Sequence, residues 1–147
     1  MNKEKDFTTS IMVYKSPTEV FEAINNARGW WQGEFVGNTN KLDDEFTYQV
    51  ADVHFSKQRI IELVPDKKVV WLVTESKINF VADKNEWLNT KLIFEITRVD
   101  GKTKVTFTHQ GLVPAIECYG GCSGAWESLV GKSLFSFITT GKGVKVF

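Results

Sequence analysis

At 147 residues, with 42% apolar and 24% charged side chains, the chain is long enough to bury one core and too apolar to stay disordered. Its 18 basic and 18 acidic residues cancel, which leaves no long-range field to gather nucleic acid or an anionic membrane surface. Aromatic content is the unusual feature: 11 Phe, 5 Trp and 3 Tyr must fill a core or line a cavity.

The opening decapeptide MNKEKDFTTS is charged and lacks the ~7–15 apolar residues of a secretory signal. No window approaches the ~18 consecutive apolar residues of a spanning helix. The chain therefore reads as cytoplasmic, with Cys118 and Cys122 as reduced thiols.

In DFTTSIMVYK, loose alternation predicts a first strand with Phe7, Thr9, Ile11 and Val13 on one face. A helix follows at once. Ser16 supplies the cap, Pro17 suits the first helical position, and Glu19 completes a capping box. Val20, Ala23, Ile24 and Ala27 form the apolar stripe, and RGWWQG breaks the helix.

From Glu34 to Leu112 the period becomes two. Phe46, Tyr48 and Val50 alternate with polar partners; VHFSKQRIIELV stops at Pro65-Asp66, and KVVWLVTES resumes. FVADKNEW has no period and reads as a loop or a worn edge. Asp100-Gly101, between two alternating runs, signals a two-residue hairpin of type I′. Centring the turn there pairs Val99 with Lys102, Ile96 with Val105, Phe94 with Phe107 and Leu92 with His109. One face of this hairpin is apolar except for His109, and the other is polar, so the sheet is covered on a single side.

The cover is the last segment. Trp126, Leu129, Val130, Ser133, Leu134, Phe137 and Ile138 recur at helical spacing, and Gly141 is placed to end the helix. The predicted class is α+β: a curved antiparallel sheet wrapped around a long C-terminal helix, with short helices after the first strand, in a single domain over residues 1–147.

This order, with SPTEVFEAI ahead of Trp30 and Trp31, the strand end ELVPDKKVVWLV, the hairpin DGKTKVTFTHQGL and Trp126 opening the last helix, resembles the helix-grip fold of the START-like (SRPBCC) superfamily. Within it, the chain is similar to the family named after the activator of the heat-shock protein 90 ATPase. The resemblance implies a sheet gripping the long helix around an apolar cavity. It also implies stress-related or chaperone contacts as a second kind of role.

CYGGC invites a metal or redox reading, but zinc takes four ligands at set spacings, and His54 and His109 are far away in sequence. The three-residue gap also differs from that of thioredoxin-like motifs. The cysteines and Gly120, Gly121 and Gly124 are read instead as a hinge-like approach to the closing helix and a candidate pocket gate. No nucleotide loop, paired carboxylates or nucleophile beside a base is found, so no cofactor, metal or catalytic residue is assigned.

The reading that follows is non-enzymatic binding of a small hydrophobic or amphipathic ligand between sheet and helix. Trp31, Phe55, Trp71, Phe94, Phe107, Trp126 and Val130 would line the pocket, and His109 or Tyr119 would supply the polar contact. A chaperone-directed interaction module is the alternative, and a cyclase- or hydrolase-type enzyme using His109 is a third. Nucleic acid and membrane are not expected partners.

Overall fold

The computed structural model describes residues 6–31, 33–50, 54–78, 87–113 and 119–145. Strand β1 (Phe7–Val13) leads into helices α1 (Pro17–Asn25) and α2 (Ala27–Trp30). Six further strands follow: β2 (Glu34–Gly37), β3 (Glu45–Val50), β4 (His54–Val64), β5 (Lys68–Ile78), β6 (Lys91–Val99) and β7 (Lys102–Gln110). The chain then closes with α3 (Tyr119–Ser128), a π-helical stretch (Leu129–Leu134) and α4 (Phe135–Thr140).

The capping box forms as the residues demand. Ser16 Oγ accepts from the Glu19 amide at 3.1 Å, and the Glu19 carboxylate accepts from the Ser16 amide at 3.3 Å. Val20 and Ile24 face inward with no exposure.

All seven strands form one antiparallel sheet in the order β1-β7-β6-β5-β4-β3-β2. The β6–β7 hairpin has the predicted register, Leu92 with His109 through Val99 with Lys102. Asp100 and Gly101 have φ of 50° and 80°, the doubly positive turn that the right-handed twist of the strands favours. The β4–β5 pair slips register between Lys57 and Gln58 and again between Ile60 and Glu62. Each irregularity bends the strand and adds twist, which helps the sheet curl around the helix.

On the sheet's inner face, Trp71, Leu92, Phe94 and Phe107 are without exposure, and Trp30 of α2 packs edge-on against Phe94. Opposite it, the stripe Trp126, Leu129, Val130, Ser133, Leu134 and Ile138 is buried, and Gly141 ends the helix at φ 85°.

The C-terminal rod corrects one expectation. Gly120, Gly121, Cys122 and Gly124 are not a hinge ahead of the helix; they lie within α3, and Trp126 stands about two turns in. Hydrogen-bonded helix carries these glycines because the rod is held on one side by its contact with the sheet. Cys118 and most of FVADKNEW lie outside the described residues, while Trp87 stands in the turn before β6.

Candidate functional site

Between the β3–β4 end of the sheet and α3 lies a cavity of about 490 Å³. Strands β3 and β4 contribute Tyr48, Val50 and His54; α3 contributes Gly121, Cys122, Ala125 and Trp126; Leu129, Trp31 and Trp87 complete the wall. Small residues on α3 make the space, because Gly121 and Ala125 put almost no side chain where the facing strands carry rings. Inward parity along β4 places His54, Ser56 and Gln58 on the concave face, all buried.

The aromatic wall is ordered. Trp31 stacks on Tyr48 with centroids 4.2 Å apart and lies nearly parallel to Trp71 at 6.0 Å, so it separates Trp71 from the cavity. Trp87 and Trp126 run almost parallel at 5.8 Å. His54 sits edge-on between Tyr48, at 5.7 Å, and Trp87, at 4.3 Å. Burial pushes the Tyr48 phenol well above its ordinary value, against the opposing effect of its hydrogen bond with the Trp31 side chain.

His109 stands behind this wall, without exposure. Trp126 Nε1–H donates to His109 Nδ1 at 3.1 Å. Since Nδ1 accepts, the ring proton is on Nε2, which donates to Thr90 Oγ1 at 2.8 Å. Thr90 in turn donates to the Trp87 carbonyl at 2.6 Å. The chain Trp126–His109–Thr90–Trp87 thus braces the two parallel indoles of the cavity wall. Burial, with His54 as a second cause, holds the His109 ring down to about 3, so it stays neutral.

Of the residues proposed from sequence, Trp31 and Trp126 line the cavity. Trp71, Phe94, Phe107 and Val130 are packed into the core beneath it, where inward parity sends them but neighbouring rings cover them. His109 is committed at both nitrogens and offers nothing to a molecule in the cavity. Phe55 is half-buried on the outward parity of β4, between inward-facing His54 and Ser56. Tyr119 packs edge-on against Phe7 at 6.5 Å, away from the cavity wall.

The residues that sequence reasoning passed over are Tyr48, Val50, His54, Trp87, Ala125 and Leu129, while Gly121 and Cys122, read there as part of a pocket gate, lie on the cavity wall. Strand parity was the available signal for Tyr48 and His54; Trp87, in an aperiodic stretch, had none. Among the described residues, no group of three or more His, Cys, Asp or Glu side chains could hold a metal ion. Also among them, no helix is long and apolar enough to cross a membrane.

A family model described as Activator of Hsp90 ATPase homolog 1-like protein matches residues 15–138. The chain belongs to this family. Among solved structures, the Aha1-like fold recurs in the Aha1 dimer of Colwellia psychrerythraea, at 20% identity and a TM-score of 0.74, covering 95% of this chain and 99% of that one. Protein SSP2350 of Staphylococcus saprophyticus is similar at 14% identity and a TM-score of 0.70, covering 97% and 98%. DynU16, from the dynemicin biosynthetic locus, is similar at 16% identity and a TM-score of 0.65, over 95% of this chain but 49% of its own. No curated protein matches the chain. At these identities the structures establish that the Aha1-like chain has the helix-grip fold.

Proposed function

We propose that this Aha1-like chain is a cytoplasmic, non-enzymatic domain that encloses a small hydrophobic or amphipathic molecule between the β3–β4 end of its sheet and α3. The observation that carries the reading is the cavity of about 490 Å³, walled by Trp31, Tyr48, Trp87, Trp126, Val50 and Leu129. That volume falls within the ~300–1,000 Å³ of ordinary small-molecule sites, and an apolar wall with few polar groups is their usual construction. His109, committed to Trp126 and Thr90, has no ring nitrogen left to act on a molecule in the space.

Native mass spectrometry after gentle purification, followed by exposure to a hydrophobic library, tests the reading. Adducts are expected for the wild-type chain and lost in Ala125→Trp, which fills the space from the helix side. A bare mass throughout, or unchanged uptake by Ala125→Trp, would count against it.

A second reading is favoured by exposed apolar side chains at the two sheet edges. Met12 and Tyr14 stand on and just after β1, and Val36 on β2; Tyr14 is 79% and Val36 71% exposed. Together with the family name, this suits a chaperone-directed contact. Pull-down with the cognate Hsp90-type chaperone, wild type against Tyr14→Ser and Val36→Ser, separates it from the first reading.

A further inference from the structure

The wall of the cavity is almost closed. Trp31, Tyr48, Trp87, Cys122, Trp126 and Leu129 each show less than a twentieth of their surface, so a molecule enters only where a wall gives way. On the sheet side Tyr48, Val50 and His54 are held in the β3–β4 ladder, where Val50 pairs with His54 itself. On the helix side Gly121 and Ala125 are more exposed, and the outer face of α3, with Gly120, Gly124 and Glu127, meets solvent.

The start of α3 is the weakly held part of that wall. Of residues 119–125 only Cys122 is buried, and Tyr119 rests edge-on against Phe7 at 6.5 Å. Trp126 is fixed by contrast: its N–H donates to His109 at 3.1 Å, and its ring packs on Phe107 at 4.5 Å and Trp31 at 5.1 Å. Beyond it Leu129, Val130 and Leu134 are buried, and Ser133 is tied to the Trp30 carbonyl. Residues 119–125 also carry three glycines, and a helical glycine is easier to unwind than alanine because the unwound chain gains more freedom. At Gly120 and Gly124 an added Cβ would meet nothing within 4 Å, and neither has a positive φ. Neither packing nor backbone shape asks for glycine there. What glycine does at these two positions is lower the cost of unwinding one wall of the cavity.

We infer that residues 119–125 form a strap that unwinds locally to admit and release the molecule held in the cavity, pivoting at Trp126 and latched at its far end by Tyr119 on Phe7. The inference rests on the cavity reading above and adds the route of entry. Such an opening spares the sheet and the helix beyond Trp126. Passage in either direction waits on the same opening, so the strap sets both rates and leaves the affinity alone.

Amide hydrogen exchange of the full chain, read by NMR, and stopped-flow uptake of the neutral dye N-phenyl-1-naphthylamine test it together. Residues 123–125 are expected to exchange faster than residues 134–138, through an opening that leaves the latter protected. Gly120→Ala combined with Gly124→Ala makes that opening about tenfold rarer. Exchange at 123–125, dye association and dye dissociation should then all slow by about that factor, with Kd unchanged. Tyr119→Ala, which frees the latch, should speed all three. Exchange at 123–125 as slow as at 134–138, or dye rates that stay put while exchange slows, would overturn the strap and leave the cavity reading standing. No dye uptake by the wild type or either variant would overturn both.

Discussion

Burial holds the two histidines at low titration points, His54 at about 4 and His109 at about 3, against 6.5 for the free ring. Folded imidazoles thus stay neutral where the unfolded chain takes up protons, so the unfolded state binds more protons below about pH 6.5 and gains on the folded one. Stability is full above that value and is lost as pH falls through it toward 4 and then 3, by roughly 2 kcal/mol per histidine at pH 5. Urea midpoints taken from pH 7 to pH 5 should fall accordingly; a flat profile would contradict the buried neutral rings. Trp126→Phe keeps the ring but removes the donor to His109 Nδ1, and leaving that buried acceptor unpaired should cost about 1–3 kcal/mol in the same assay. That His109 faces inward was legible from hairpin parity alone. Its partners were not, because Trp126 and Thr90 reach it from other elements, 17 and 19 residues away.

Local elements obeyed local chemistry wherever the signal was short-range. Ser16, Pro17 and Glu19 start α1 as their residue types require, and Ser16→Ala should cost about 1 kcal/mol by thermal melt. The C-terminal rod is more instructive. Trp126, Val130, Leu134 and Ile138 recur at strict intervals of four, and four residues overshoot one α-helical turn by about 40°. A stripe kept at that spacing drifts off the contact face unless the helix is unwound. The π-helical turn at Leu129–Leu134, where each N–H reaches one residue further back, takes out the drift and keeps all four side chains against the sheet. Ser133 uses the altered geometry to donate to the Trp30 carbonyl at 2.6 Å and to accept from Val144 N–H at 3.1 Å, pinning α2 and the tail together. Glycines within the helices behave oppositely according to their surroundings. A methyl at Gly124 meets open space, so Gly124→Ala should stabilise by about 0.5–1 kcal/mol, whereas one at Gly29 would overlap the Phe137 ring and should destabilise.

At the scale of the whole molecule, a cavity of about 490 Å³ survives in an otherwise dense aromatic core because α3 presents Gly121 and Ala125 where the sheet presents rings. Filling it should stabilise the fold: a bound molecule at a hundredfold excess over its Kd contributes about 2.7 kcal/mol, a rise in Tm of roughly 5–10 °C for a domain of this length. A library compound shown to bind that leaves Tm unmoved would not be occupying the native cavity. The order of elements, the hairpin register, the capped first helix and the apolar stripe of the last one were determined by the sequence itself, since each rests on residues a few positions apart whose φ/ψ preferences and periodicity decide the outcome. Which inward rings are covered and which remain on a wall was decided only by the tertiary structure. Trp71, Phe94 and Phe107 share the parity of true lining residues, yet packing against Trp31, Trp30 and Trp126 closes over them. His54 and Trp87 become neighbours only when β4 and the turn before β6 are brought together, because a cavity is a property of contacts between distant segments and not of any one stretch of chain.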